Sequence, residues 1–330
     1  MMTITLCSTI FYQLPLRDAH ISVAYKSSSR LKNSMNMHME FGQAVRIKNK
    51  VYFGGGLGCG PEVYVYDPVT EKFDTLPPTS VQGFAMALYQ QQLVLVGGID
   101  VATKKPTGNI AIWDENKRSW SHSLPSMPTP RKYAAAVGYG AFLITAGGSS
   151  QTTATNVVEI YNGSSKQWFT AQSLPQACQL MRSFEHSHHW FLTGGEEQKT
   201  SVYYTSLDSL VNDDDPTKTS KHEVWKKIPT NTPLKSSSIA VVKNRLLAIG
   251  GWALESAIAG SSAIYGYFPS SQTWKEIGDM TYACSASCSI VLSNGELLVF
   301  SGNSSIIQKV LFRGWHSYLI IAIFCFINSF

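Results

Sequence analysis

The sequence predicts an all-β protein built from six copies of a small four-stranded sheet. Three observations support this prediction. A short apolar run ends in a glycine pair five times along the 330 residues. Four of these pairs are followed by two aromatic residues that are always seven positions apart. Turn-like sequence surrounds the position six residues before each pair, as expected for a β-hairpin.

The glycine pairs set the period of the repeat. Successive pairs are 42 to 56 residues apart, and a sixth copy follows with Ser301 in place of the first glycine. A period in this range indicates a repeat architecture. Glycine tolerates positive φ and leaves room for neighbouring backbone, so each pair should end a strand where the chain turns away. The pairs are Gly55 and Gly56, Gly97 and Gly98, Gly147 and Gly148, Gly194 and Gly195, and Gly250 and Gly251.

The aromatic residues mark the last hairpin of each copy. Their constant spacing implies a tight turn, whereas the variable distance from the glycines implies a loop that can change length. In the fourth copy a polar insertion (206–222) separates Tyr204 from Trp225. The regular pairs are Tyr66 and Phe73, Trp113 and Trp120, Tyr161 and Trp168, and Tyr267 and Trp274.

Each copy is therefore expected to form four strands. In the fifth copy these are 238–242, 246–250, 263–267 and 273–277. One such sheet cannot bury both of its faces, but radial stacking around an axis buries face on face and leaves short edges. The sequence therefore predicts a β-propeller.

The two ends of the chain are predicted to close the ring together. Five full copies are followed by an incomplete sixth, which begins at 286 and lacks its Trp-bearing strand. Residues 20–37 contain an apolar strand ending in Tyr25, a turn, and a strand around Leu31 that can supply the missing part. This predicts six blades within a propeller domain at 20–312. A leader (1–19) precedes it, and an apolar tail (313–330) follows, either unfolded or tethered to a membrane.

The apolar run, double glycine and aromatic spacing together resemble the Kelch repeat, over about residues 20–312. The resemblance implies a Kelch-type propeller of the kelch-like and galactose oxidase-type superfamily. Some members are copper-radical oxidases, which need two tyrosines and two histidines converging on one metal. Others bind partner proteins through one face.

Composition narrows the class of function. The net charge of +5 is spread thinly, which argues against nucleic-acid binding. Six dispersed cysteines without a CxxC motif predict a reduced, cytoplasmic protein. The apolar run 318–330 is shorter than the roughly 20 residues that span a bilayer, so membrane attachment is only an alternative. We expect a monomeric propeller.

No catalytic pattern stands out. The histidine cluster at 186–189 places His188 at a hairpin turn, and Asp213, Asp214 and Asp215 lack the spacing of a calcium loop. No Ser/His/Asp nucleophile pattern and no phosphate-binding glycine loop is visible. The sequence therefore predicts no catalytic residue, no metal and no cofactor.

The Kelch resemblance implies a partner-binding face, built from the loops after the glycine pairs and before the first strands. Arginines in such loops bind acidic peptides, because a guanidinium binds a carboxylate bidentately. The alternative is that their stems pack on neighbouring loops. The residues at matching positions are Arg131, Arg182, Lys235, Ser149 and Trp252.

The function expected from the sequence is non-enzymatic binding of a protein or peptide, either as an interaction scaffold or as a substrate-recognition module. The alternative is a propeller enzyme resembling a copper-radical oxidase or an epimerase or lyase.

Overall fold

The computed structural model describes residues 24–30, 39–194, 201–211, 224–229, 236–252, 260–302, 304 and 306–313. Within these residues the strands form six four-stranded antiparallel sheets, which we call blades. The predicted leader (1–19) and residues 314–330 of the predicted tail lie outside the described residues. The six predicted blades are confirmed.

The first three blades follow the chain in order. The first strand, β1 (Ala24–Arg30), belongs to the last blade. Blade one contains β2 (Gln43–Ile47), β3 (Lys50–Gly54), β4 (Val63–Asp67) and β5 (Lys72–Thr75). A small two-stranded sheet, β6 (Val81–Gln82) and β9 (Ile99–Asp100), flanks blade two. Blade two contains β7 (Ala85–Tyr89), β8 (Gln92–Val96), β10 (Ile110–Asp114) and β11 (Ser119–Ser121). Blade three contains β12 (Ala135–Tyr139), β13 (Phe142–Ala146), β14 (Val158–Asn162) and β15 (Gln167–Ala171).

The last three blades differ in their third and fourth strands. Blade four contains β16 (Arg182–His186), β17 (His189–Gly194), β18 (Ser201–Ser206) and β19 (Lys226–Ile228), with helix α1 (Leu207–Val211) after β18. Blade five contains β20 (Ser238–Val242), β21 (Arg245–Ile249), β22 (Ser261–Phe268) and β23 (Thr273–Cys284). Blade six contains β24 (Cys288–Val291), β25 (Leu297–Phe300), β26 (Ile307–Arg313) and β1.

The first strands of the blades form a closed ring around a central axis. The strands β2, β7, β12, β16, β20 and β24 each contact the next one, and β24 contacts β2. We call these six strands the inner strands. Their circular contact defines a propeller rather than an open stack.

The predicted closure by the N-terminal strand is confirmed. β1 pairs antiparallel with β26, from Ala24 opposite Arg313 to Arg30 opposite Gln308. The strand runs through residues 27–29, where the sequence predicted a turn. That detail was wrong because pairing with a long partner strand, and not local composition, selects the conformation of this segment. Leu31 lies outside the described residues.

Packing between blades supplies the core. Six hydrophobic clusters each join residues of two neighbouring blades, one cluster for every interface in the ring. At the interface of blades three and four, Trp190 and Trp225 are almost fully buried. The radial face-on-face burial expected from the sequence is therefore what holds the sheets together.

The seven-residue aromatic spacing becomes a set of direct cross-strand pairs. Each pair lies opposite in register on the third and fourth strands, with ring centroids 4.8–5.5 Å apart. Four tryptophans at or next to a fourth strand also donate Nε1–H to a carbonyl of the preceding blade, at 2.8–2.9 Å. These donors and acceptors are Trp120 and Pro77, Trp168 and Pro125, Trp225 and Gln172, and Trp274 and Pro229. The tryptophans thus fix one blade to the next as well as filling space.

The glycine pairs have the geometry that their position requires. Four of the five pairs have positive φ at both residues, and Gly195 of the fifth lies outside the described residues. A Cβ at Gly55 would lie 2.5 Å from the carbonyl oxygen of Phe84, and one at Gly97 would lie 2.4 Å from that of Arg131. Any larger residue would therefore push neighbouring blades apart.

The described cysteines Cys59, Cys178, Cys284 and Cys288 are buried, and none of them forms a disulfide. Burial is the main reason that the pKa of Cys59 and Cys284 is raised to about 11, and that of Cys288 to about 12. Because the thiolate is the reactive form, these thiols should resist alkylation in the folded protein at pH 8.

This protection can be measured by mass spectrometry after iodoacetamide treatment, in a Cys7→Ser/Cys325→Ser variant that removes the two cysteines outside the described residues. We expect no label in the native protein and four labels after denaturation. Fast labelling of Cys59, Cys284 or Cys288 in the native protein would contradict the burial of these interfaces.

Candidate functional site

The axis of the ring is closed at the end where the glycine pairs lie. Phe41, Leu180 and Ala286 pack together there, with Leu57 and Tyr133 against them. These residues come from blades one, three, four and six, and only the axis brings such distant blades into contact. We call this cluster the plug.

A repeated backbone conformation builds the plug. The residue two positions before each inner strand has a positive φ of 48–61° in all six blades. These residues are Phe41, Gly83, Tyr133, Leu180, Ser236 and Ala286. Backbone hydrogen bonds join several of them around the axis, such as Phe41 N–H to the Ala286 carbonyl at 2.7 Å and Tyr133 N–H to the Gly83 carbonyl at 2.9 Å. The bonds hold a left-handed conformation that costs these larger residues free energy.

Two polar side chains tie the blades together beneath the plug. Gln43 donates Nε2–H to the carbonyls of Ala134 (2.6 Å) and Met181 (3.2 Å), and its Oε1 accepts from the Met86 amide at 2.9 Å. Arg182 donates Nη1–H to the carbonyls of Ser236 (3.2 Å) and Ser287 (3.1 Å). Gln43 and Arg182 each begin an inner strand, on opposite sides of the ring. Together they connect all six blades.

A cavity of about 540 Å³ lies along the axis on the other side of Gln43. We call it the axial cavity. It is lined by inner-strand residues of every blade and extends to the hairpin turns that end these strands. The lining runs through 43–46, 86–88, 136–138, 183–186, 239–241 and 289–293. Among the described residues the plug closes the glycine-pair end and leaves the hairpin-turn end of the cavity open to ligands.

The mouth of the axial cavity carries opposite charges on opposite sides. Arg46 and Glu185 are the fourth residues of β2 and β16, and both are exposed. Arg46 donates Nη1–H to the Val291 carbonyl at 3.2 Å, and Glu185 accepts from the His188 amide at 2.9 Å. In the described part of the chain neither forms an ion pair. The corresponding residues of the other blades are Leu88, Gly138, Val241 and Val291. The axial cavity thus has a mixed polar and apolar lining, with one cationic and one anionic group, Arg46 and Glu185, at its rim.

The histidine cluster beside this mouth forms a hairpin turn, as the sequence predicted. Ser187 and His188 are the two turn residues, with φ of 49° and 62°. Tyr139 donates its hydroxyl proton to Asp208 Oδ1 at 2.5 Å. The hydroxyl oxygen of Tyr139 also lies 2.7 Å from His188 Nδ1. Desolvation, and then the bond to Asp208, raises the pKa of Tyr139 to about 12. This network fixes α1 against blade three.

No group of three or more His, Cys, Asp or Glu side chains within the described ranges is arranged to hold a metal ion. Asp213, Asp214 and Asp215 lie outside those ranges. The structure also describes no helix that is long and apolar enough to cross a bilayer.

The predicted partner-binding residues are not gathered on an exposed face. Arg131 and Ser149 are fully buried, and Arg182 is 5% exposed. Trp252 is half-buried, with its backbone bridged to Gly260, and Lys235 lies outside the described residues. The expectation that both arginines reach a peptide needs correction, because their guanidinium groups already bind groups of this chain. Sequence position gave no sign of their burial.

Comparison with known proteins supports the fold alone. No protein-family profile and no curated protein sequence matches this chain. The closed ring of six four-stranded blades defines the class: the protein is a six-bladed β-propeller. The solved structure of YjhT superposes on it with a TM-score of 0.66 at 13% sequence identity, over 87% of this chain and 98% of YjhT.

Proposed function

We propose that this chain is a non-enzymatic interaction module of the Kelch type, which binds a protein segment at the mouth of the axial cavity. The observation that carries the proposal is the axial cavity, which the plug closes at one end. Its volume of about 540 Å³ lies in the range of ligand pockets, and its lining combines apolar side chains with polar and charged ones. The binding face is then the hairpin-turn end, and not the glycine-pair end suggested by the sequence.

The cavity favours a segment that inserts an apolar side chain between two charged residues. Val45, Phe184 and Ile290 line its walls. Covering this apolar surface with an apolar side chain removes it from water and so lowers the free energy of the complex. Arg46 and Glu185 lie where they can contact an acidic and a basic residue on either side of the inserted group. Rim charges of this kind fix register and partner choice more than they add affinity.

A matched pair of charge reversals tests this site. Linear peptides are selected from a phage-displayed library on the purified protein, and their dissociation constants are measured by fluorescence polarisation. We expect Arg46→Glu to weaken binding about tenfold, which corresponds to about 1.4 kcal/mol. Lys48→Glu, the same change on an exposed turn residue that does not line the cavity, should have no effect.

Two results would count against this function. Selected peptides that bind wild type and Arg46→Glu equally, but lose affinity in Lys132→Glu, would place recognition at the glycine-pair end. Stoichiometric copper or iron in the purified protein would favour the alternative of a propeller enzyme.

A further inference from the structure

Three arginines are buried in the described part of the chain, Arg131, Arg182 and Arg245, and the first two differ in their partners. Arg131 Nη2 lies 2.8 Å from Glu159 Oε2, and both side chains are almost fully buried. Arg182 has no carboxylate within ion-pair distance among the described residues, and its Nη1–H donates to the Ser236 and Ser287 carbonyls. A buried charge without a counter-ion is costly, so the surroundings of Arg182 require an explanation.

The guanidinium of Arg182 is incompletely satisfied. Its Nε is buried and has no hydrogen-bond partner among the described residues. The ring of Phe41 lies 5.1 Å from Cζ and covers one side of the group. Burial lowers the pKa of Arg182 to about 10, which still leaves it charged at neutral pH. The neighbouring thiols of Cys284 and Cys288 do not compensate this charge, because burial raises their pKa to about 11 and about 12.

Unpartnered hydroxyl groups lie in the adjoining blades. Ser238 is the first residue of its inner strand, as Arg182 is in the neighbouring blade, and its Oγ is buried without a partner in the described part of the chain. Ser285 follows Cys284 and precedes β24, and its Oγ is also buried, with no partner among the residues that the structure describes. A hydroxyl can always turn its proton towards an acceptor. A buried cation in blade four and two unpartnered hydroxyl groups in blades five and six therefore lie at the same end of neighbouring inner strands, where Arg182 bonds the Ser236 and Ser287 carbonyls.

We propose that Arg182 is the centre of a buried site for a small inorganic anion of halide size. A halide accepts hydrogen bonds and donates none, which matches the Nε–H of Arg182 and the hydroxyls of Ser238 and Ser285. It also supplies the negative charge that Glu159 supplies to Arg131. Because the ligand contacts three blades, it stabilises the closed ring, and the stability of the fold depends on halide concentration.

Thermal unfolding at constant ionic strength tests the site, with sodium chloride or bromide exchanged for sodium gluconate. The melting temperature of wild type should rise by about 3 °C when 200 mM chloride replaces gluconate. Arg182→Met should lose this response. The double variant Arg131→Met/Glu159→Leu, which removes a second buried arginine together with its carboxylate partner, should keep it.

A second measurement covers the case in which Arg182→Met does not fold. Ser238→Ala/Ser285→Ala retains the cation but removes two donors. The chloride concentration that gives half of the maximal rise in melting temperature should therefore increase several-fold. Crystals grown in bromide should show an anomalous peak within hydrogen-bonding distance of Arg182 Nε. The proposal would be overturned if the melting temperature of wild type did not change with halide concentration, or if Arg182→Met showed the same change as wild type. The first result would mean that water or a carboxylate outside the described residues satisfies the guanidinium.

Discussion

Deleting residues 1–31 should lower the melting temperature on the order of 10 °C and make the protein associate. The deletion removes β1, and six of its seven residues pair with β26. The backbone groups of β26 would then form an open edge, which can pair with another chain. Blade six would also lose its covalent connection to blade one, so the ring would be held together there by non-covalent contacts alone.

Deletion of residues 1–19 is the matched control for this experiment. It removes the predicted leader but keeps β1, and we expect a melting temperature close to that of the full chain. Scanning calorimetry measures stability, and light scattering after size-exclusion chromatography measures association. If the two truncations melt at the same temperature and both stay monomeric, β1 does not close the ring.

Much of the fold could be predicted from the sequence because its signals repeat. The Tyr267–Trp274 spacing predicted a tight hairpin, and the two residues are direct cross-strand partners. Gly97 could be assigned to a strand end because positive φ and close backbone contact leave few alternatives to glycine. The number of blades followed from counting these copies, and the need for a closing strand followed from the incomplete sixth copy.

The candidate site could not be predicted in the same way. The plug is built at one backbone position in every blade, but Phe41, Tyr133 and Leu180 share no chemical property with Gly83 that would reveal it in a sequence. The axial cavity exists where side chains of the inner strands are short or point away from the axis. Its shape therefore depends on all six inner strands together. Arg46 and Glu185 occupy corresponding positions of blades one and four, and this correspondence can be recognised once the strand register is known.

The burial of Arg131 illustrates the limit of local reasoning. An arginine in a loop before a strand is normally expected at the surface, because charged side chains are rarely buried without a partner. Its partner, Glu159, lies 28 positions further on in β14 and carries no signal that links the two. Only the three-dimensional packing shows that they neutralise each other.

Replacing Glu159 with Gln should destabilise the protein by about 3–5 kcal/mol, since it leaves Arg131 charged and buried without a counter-ion. Both side chains are almost inaccessible to solvent, and the carboxylate also accepts from the Thr129 hydroxyl at 2.7 Å. The free energy of unfolding is measured by urea denaturation at pH 7, where burial lowers the pKa of Arg131 only to about 10 and the group stays protonated.

The double variant Arg131→Met/Glu159→Leu removes both charges and is the control that isolates the cause. A buried ion pair can be exchanged for apolar residues of similar volume at little cost, so its stability should lie within about 1 kcal/mol of wild type. If the double variant regains the free energy of unfolding of wild type, the single substitution destabilises the protein by leaving the buried Arg131 charge without a counter-ion. If the double variant is as unstable as Glu159→Gln, the carboxylate stabilises this interface through Thr129 and packing, and the unpaired charge is not what matters.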